Sequence, residues 1–329
     1  MKSIVFFNNK GGVGKTTLVY HVTHMLAEMG HRCLAVDLDP QTNLTSMFLN
    51  EDRLNEIYDN DGVRPTILES IKPLNRGVGD VIPAHIEVIN DKIGLVPGDL
   101  ELSLYEDKLS SGWGACMNRD EAAFRIISSF YRVVKEASER WQAEYTIIDI
   151  GPNFGAINRA TLIAADYAII PMAADLFSLQ GLKNLGNQLS KWNEEWADRS
   201  VRNPEPSLDL PPGNIKSLGY VVMQHGTKER RPVKSYLKWL NRIPGVFRGF
   251  VMKEPILNPL SIEQDSYCLA QLKHYHSLIP MAMEVRKPIF QLKPADGAIG
   301  AHLGAVRRSH EDFELLTHRI ESTMQSQAH

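Results

Sequence analysis

The sequence predicts an α/β fold, a mostly parallel central sheet flanked by helices, and three observations carry that prediction. Short apolar runs at 4–7, 33–36, 93–96, 145–148, 167–171 and 218–223 alternate with stretches whose apolar residues recur at helical spacing. Three of these runs deliver chemistry at their C-terminal ends: Asn8-Asn9 before a glycine-rich turn, Asp37, and Asp149. In a parallel sheet those ends share one edge, so the three should converge on a single crevice.

The first run leads into Lys10-Gly11-Gly12-Val13-Gly14-Lys15-Thr16-Thr17, and helical spacing of Leu18, Val19, Val22, Leu26 and Ala27 begins at once. A strand, a glycine-rich turn and a helix start make a phosphate cradle. Glycines let backbone N–H groups face an anion, and the helix N-terminus adds free donors. In that arrangement Lys15 reaches the β- and γ-phosphates and the Thr16 hydroxyl holds Mg²⁺. Gly30 stops the helix. His21 and His24, three apart on it, read as surface or packing residues.

The second run delivers Asp37-Leu38-Asp39-Pro40-Gln41-Thr42-Asn43. Two carboxylates beside a phosphate loop suit Mg²⁺ and an attacking water, both of which need oxygen partners. The other reading is a solvated acidic turn. Residues 66–71 suggest a short helix, 93–98 a strand and turn, and 99–109 and 122–134 two further helices, the last with Arg125, Arg132 and Lys135 on a solvated face. The run 145–148 ends in Asp149, the place for an acid that holds Mg²⁺ through water. Gly151-Pro152-Asn153-Phe154-Gly155 then reads as a mobile switch. After the strand at 167–171, a helix of about five turns should run to about Trp196. Four prolines within 203–214 mark an exposed loop.

Composition narrows the classes. At 329 residues, 43% hydrophobic and 23% charged, the chain is long enough for a full core in one domain. A net charge of −3 gives no global basic field, so any nucleic-acid or membrane binding must come from a local patch. Cys33, Cys116 and Cys268 lie far apart without metal-cluster spacing. No apolar run approaches the roughly 18 residues of a membrane span, and the first strand starts too early for a signal peptide, so the expectation is a cytoplasmic protein.

The loop has Asn9 where the general phosphate-loop pattern has glycine, and Lys10 opens the turn. It resembles the deviant Walker (SIMIBI-type) loop of the ParA/MinD class of P-loop ATPases. Asp37-Leu38-Asp39-Pro40-Gln41, the 162–171 stretch, 176–182 and Arg286-Lys287-Pro288-Ile289-Phe290 are similar to further ParA-like segments, whereas Ile150-Gly151-Pro152 departs from the family's usual Thr-Pro-Pro. The resemblance implies one domain, 1–329, with insertions near 50–92, 199–215 and 254–283.

It also implies an ATPase using ATP and Mg²⁺, with Gly11, Gly12, Val13, Gly14, Lys15, Thr16 and Thr17 around the nucleotide. Thr16, Asp37 and Asp149 would serve the metal, Asp39 the water, and Lys10 the partner's nucleotide across a sandwich homodimer. Gln224, at the end of the 218–223 strand, falls where the family holds adenine, although His225 beside it could simply end the strand. Lys228, Arg230, Arg231 and Lys234, with Arg307 and Arg308, fall where ParA-like proteins contact DNA phosphates. As a bare cluster they read equally as a solvated face. The implied function is DNA partition or cargo positioning by a soluble, nucleoid-bound dimer that binds double-stranded DNA without sequence preference. A ParB-like or other partner would stimulate hydrolysis. The longer ParA proteins' N-terminal DNA-binding domain is expected to be missing, as is a MinD-like membrane anchor. The alternative is an ATP-gated protein-interaction switch of a mobile-element or defence system, with 254–283 as its partner surface.

Overall fold

Strand and helix alternate as the periodicity requires. The computed structural model describes residues 2–59, 62, 64–223, 233–255, 260–275 and 277–328. Strands β1 (Lys2–Phe6), β2 (Cys33–Asp37), β3 (Glu87–Val88), β4 (Ile93–Val96), β5 (Tyr145–Asp149), β6 (Tyr167–Met172), β7 (Lys216–Met223) and β8 (Cys268–Leu272) form one sheet in the order β3-β4-β2-β5-β1-β6-β7-β8. Only the β3–β4 pair is antiparallel among the described ladders.

The helices are α1 (Lys15–Glu28), α2 (Asn43–Phe48), α3 (Glu51–Tyr58), α4 (Ile67–Arg76), α5 (Glu106–Ala115), α6 (Glu121–Ile127) and α7 (Ser129–Trp141) in the first half. Then come α8 (Ala156–Ala164), α9 (Leu176–Ser200), α10 (Val233–Leu240), α11 (Ile243–Val246), α12 (Leu278–Val285) and α13 (Ala301–Ala328).

Period-2 alternation along β1 sends Ile4 and Phe6 to one face and Val5 and Phe7 to the other. The first face meets α1, α2, α12 and α13 through Leu18, Val22, Leu278, Phe313, Leu316 and Ile320. The second meets α4 to α9 through Ile71, Phe130, Val134, Ile157, Leu182 and Leu185. Burial on both faces explains why the strands read as continuous apolar runs. Truncating a side chain such as Phe313, 1% exposed, to Ala should cost about 3–5 kcal/mol.

Several expectations need correction. The helix from 176 runs to Ser200, about seven turns rather than five, because Trp192 and Trp196 continue its buried stripe. The proline-rich loop is irregular but not simply exposed. Trp196 Nε1 donates to the Pro211 carbonyl at 2.8 Å, and Leu208, Pro211 and Gly213 are buried. The 122–134 helix is two, α6 and α7, joined at Ser128. Its cations are not a solvated face: Arg125 and Arg132 both bind Asp80, at 2.5 and 2.8 Å, and Lys135 binds Asp209 at 2.5 Å. On α13, Leu315 is 53% exposed, while Phe313, Leu316 and Ile320 are buried. Within 254–283, residues 268–272 are β8, paired in parallel with β7 at the sheet edge.

Candidate functional site

Register sets the site. Phe6 and Asp37, the last residues of β1 and β2, both pair with Asp149 at the end of β5, so the three strand ends stand side by side as expected. The turn from β1 into α1 passes over them. Gly12 and Gly14 have φ of +71° and +81°, a left-handed backbone that side chains with a Cβ resist, and a Cβ on Gly14 would stand 2.9 Å from Met223 Cε. Gly14 caps α1 with no side-chain hydrogen bond and no acidic residue follows in the first turn. The N–H groups there are open to an anion.

Lys15 is a buried cation, 7% exposed. Burial lowers its pKa, and the charges of Asp149 and Asp39 oppose that shift. Asp149 is fully buried, and neither of its carboxylate oxygens has a hydrogen-bond partner among the described residues. Its pKa is raised well above the carboxylate range, first by burial and then by the charge of Asp37, while the nearby Thr16 hydroxyl, Asp39 and Lys15 add smaller effects, Asp39 upward and the other two downward. A buried acid whose oxygens have no well-formed hydrogen bond among the described residues, beside a hydroxyl and a lysine, fits a divalent cation that brings the missing positive charge.

Asp37 is different. Its Oδ2 accepts from the Thr45 N–H at 2.9 Å and the Thr45 hydroxyl at 2.7 Å, and its Oδ1 from the Asp39 N–H at 3.2 Å. Burial nevertheless pushes its pKa up to about 7, against the Thr45 hydrogen bonds. Gly98 makes room for it, since a Cβ there would meet Asp37 Cγ at 3.0 Å. The carboxylate expected at the metal is therefore occupied in holding the turn onto α2. Asp39, 6% exposed, lines the crevice opposite Gly151, where an added Cβ would lie 3.4 Å from its Oδ1.

The 151–155 segment is held rather than loose. Asn158 Nδ2 donates to the carbonyls of Gly151 and Asn153, both at 2.7 Å, and Phe154 packs edge-on to Phe7 and Trp192. Glu106 of α5 accepts from the Ala156 and Ile157 N–H groups, capping α8 from 50 residues away.

A cavity of about 560 Å³ opens from the loop and continues between α1 and α12, with Tyr20, Ile279, Met283 and Arg286 on its walls. His21 lines its floor, and its roles are fixed by geometry. Nδ1 lies 2.7 Å from the Thr17 carbonyl, and Nε2 accepts from the Ile289 N–H at 3.1 Å, so the ring is neutral with Nδ1 protonated. Burial lowers its pKa to about 4 and that of His24 to about 3. Both are packing residues, stacked on Phe313 and Phe48 respectively.

Lys10 Nζ lies 2.7 Å from Asp175 and 3.4 Å from the Ser178 hydroxyl, within its own chain. Gln224, His225, Lys228, Arg230 and Arg231 lie outside the described residues, and the side chain of Lys234 is likewise outside them. Arg307 and Arg308 are exposed on α13 and make no ion pair among the described residues. The structure thus places residues 11, 12, 14–17 and 39 on the walls of one crevice, sets Asp37 and Asp149 side by side and buried at the strand ends, and leaves 307 and 308 outside the crevice lining. Sequence reasoning missed Thr45, Glu106, Asn158 and Asp175. Of these only Thr45 carries a local signal, a hydroxyl at the start of the helix after the acidic turn.

The model of an AAA domain matches residues 1–201. An uncharacterized protein of Methanocaldococcus jannaschii is 30% identical over 71% of this chain and 77% of its own length. The sporulation initiation inhibitor protein Soj of Bacillus subtilis is 32% identical over 56% of this chain and 64% of its own. This chain thus spans less than two-thirds of Soj. Among solved structures, McdA of Cyanothece in complex with ATP superposes with a TM-score of 0.65 at 19% identity, covering 99% of this chain and 96% of that one. No described helix is long and apolar enough to cross a membrane.

Proposed function

The chain belongs to the ParA/MinD-type AAA-domain family of P-loop ATPases, and from that premise we propose that it is an ATP-operated dimer switch in DNA partition or cargo positioning. The observation that supports this reading most directly is the buried, unpartnered Asp149 carboxylate beneath an uncapped helix N-terminus that carries Lys15. Such a site is unfavourable until a polyphosphate and a cation enter it.

In this reading the N–H groups of residues 11–17 and the Lys15 ammonium hold the phosphates of ATP, and Thr16 with Asp149 hold Mg²⁺. Bound Mg²⁺ would neutralise charge developing on the transferred phosphoryl group. Asp37 acts through position, fixing the turn that carries Asp39. Asp39 accepts the hydrogen bond that orients the attacking water. Gln224 is the proposed adenine contact. Lys10 reaches across to the partner's nucleotide, so the γ-phosphate is gripped from both protomers and its loss opens the dimer. Soj is a relative by sequence and McdA by fold alone, and a place on the nucleoid in the cytoplasm is part of the proposal.

Binding to duplex DNA through phosphate contacts alone is part of the proposal. Lys228, Arg230, Arg231, Lys234, Arg307 and Arg308 would make those contacts, and a ParB-like partner would reset the cycle. The test is fluorescence anisotropy of random-sequence duplex with no nucleotide, ADP or ATP, using wild type and Asp39→Ala across a salt series. The expected result is binding only with ATP, falling steeply with salt. Nucleotide binding with no DNA binding in any state would discard the DNA role and leave a protein-interaction switch.

A further inference from the structure

The cavity that opens at the phosphate loop does not end there. Tyr20 follows Lys15 by five helical residues and so stands about 7.5 Å further along α1. At that depth the walls are α1, the end of α2 and α12, with Ile279 and Ala282 supplying apolar surface. Most polar groups at this end are already engaged. His21 has both ring nitrogens on backbone groups, the Ser46 hydroxyl donates to the Thr42 carbonyl at 3.0 Å, and Lys287 Nζ lies 2.7 and 2.9 Å from the two oxygens of Asp296.

Tyr20 and Arg286 are not. Tyr20 is 2% exposed, its ring packs against His24 and Phe48, and its hydroxyl has no hydrogen-bond partner among the described residues. Arg286 Nε donates to the Leu49 carbonyl at 2.8 Å, which ties the end of α12 to the end of α2, while the rest of the guanidinium has no acceptor and no ion pair among the described residues. Burial raises the Tyr20 pKa and the charge of Arg286 opposes that shift, so the two groups face one space. Arg286 also holds a left-handed backbone, φ +49°, that a glycine would adopt more readily. Among the described residues Asp39 is the only carboxylate lining the cavity, and it stands by Gly151, at the cradle end. A buried hydroxyl without a partner and a cation without a counter-charge, on one wall, suit an anion.

We infer that Tyr20 and Arg286 form a second anion site in this cavity, and that the crevice takes a nucleotide with a phosphate on its ribose as well as the phosphate chain on its 5′ carbon. The inference rests on the nucleotide reading above. With the 5′ chain held at Lys15, the sugar lies toward Tyr20 and α12, the direction in which the cavity continues. An unmodified ribose would give the Tyr20 hydroxyl a partner and leave the Arg286 charge uncompensated. A ribose phosphate accepts from both, and the guanidinium fork matches two of its oxygens. Such a nucleotide excludes ATP, because both need the same cradle, and it thereby holds the protein out of its ATP-bound state.

The test is calorimetric titration of the full chain, with Mg²⁺, by ADP and by ADP carrying a further phosphate on the ribose 2′ or 3′ oxygen. One of the two phosphorylated isomers should bind about 10-fold more tightly than ADP, and which one does so identifies the ribose oxygen that faces Arg286. Arg286→Gly suits the left-handed backbone and removes the guanidinium, and it should bring that affinity ratio to about one. Tyr20→Phe removes only the hydroxyl and should lower the ratio about threefold. A wild type that binds ADP and favours neither isomer would overturn the anion site and leave the nucleotide reading intact. A preference undiminished in both variants would also overturn it, since the added phosphate would then be held elsewhere. A wild type that binds no ADP would overturn both readings.

Discussion

Strands β2 and β5 lie side by side and each ends in a fully buried carboxylate, Asp37 paired in register with Asp149. The two ends differ in what surrounds them. Around Asp37, α2 folds back to supply a hydroxyl and an amide, and the turn supplies another amide, so its oxygens are engaged. Around Asp149 the Thr16 hydroxyl stands nearby, but neither carboxylate oxygen has a hydrogen-bond partner within bonding geometry among the described residues. One end is finished by the protein, and the other has carboxylate oxygens with no hydrogen-bond partner among the described residues. A strand ending in an acid is thus a position, and the neighbours that fold onto it decide whether it carries structure or chemistry.

The largest effect should come from the finished end. Asp37→Ala leaves the Thr45 N–H and hydroxyl and the Asp39 N–H without an acceptor, and should lower unfolding free energy by about 3–4 kcal/mol in urea denaturation. Unchanged stability would mean that those hydrogen bonds carry nothing and that Asp37 is as available to a metal as Asp149.

Asp149→Asn tests the unfinished end. It should weaken Mg²⁺-dependent ATP binding about 100-fold, near 2.7 kcal/mol, while binding without Mg²⁺ changes little. Calorimetry with and without Mg²⁺ separates the two. Stability without nucleotide at pH 8 should not fall, because the substitution removes a buried acid that costs stability at that pH whether it takes up a proton on folding or stays charged. Equal losses with and without Mg²⁺ would move the metal elsewhere in the crevice.

Titration sharpens the contrast further. Asp37, raised to about 7, and Asp149, raised well above its ordinary value, bind protons more tightly in the folded chain than in the unfolded one. Their stabilising contribution is complete at low pH and is lost as pH rises through the folded values. His21 and His24, lowered to about 4 and about 3 by burial, act in the opposite sense, and their contribution is complete once pH exceeds the ordinary histidine value of about 6.5. Above that point the carboxylates act alone. Without nucleotide, stability should fall by about 1–2 kcal/mol between pH 6.5 and 8, and Asp149→Asn should flatten the decline. A flat wild-type profile would mean that both acids are already ionised.

Much of this crevice was legible because its parts are contiguous. The turn from Lys10 to Thr17 and the acidic stretch at 37–43 each announce their chemistry within a dozen residues, and strand ends in a parallel sheet have only one edge to share. The residues that could not be read are supplied from afar. Glu106 caps a helix 50 residues later, and Asp175 meets Lys10 across 165 positions. Asp80 gathers Arg125 of α6 and Arg132 of α7, whose spacing reads as a solvated face. Helical periodicity shows which face is apolar but not which acids another segment will bring to the polar one. The distinction between Asp37 and Asp149 belongs to the same class, because it depends on α2 turning back over β2.

Thr45 is where that distinction can be tested with the least disturbance. Its hydroxyl donates to Asp37 Oδ2 at 2.7 Å and accepts from the Gly98 N–H at 2.9 Å, so it links β2, α2 and the turn after β4. Thr45→Val keeps the shape and removes the hydroxyl. It should cost about 2 kcal/mol and raise the pH at which Asp37 ionises, since a donor to the charged form is lost. Thr45→Ser keeps the hydroxyl and removes one methyl group. Its cost should be below about 1 kcal/mol, with the pH profile unchanged. Both variants should keep the Mg²⁺ dependence of ATP binding, because neither touches Asp149. If Thr45→Ser shifted the profile as far as Thr45→Val does, packing rather than the hydrogen bond would be what separates the two strand ends.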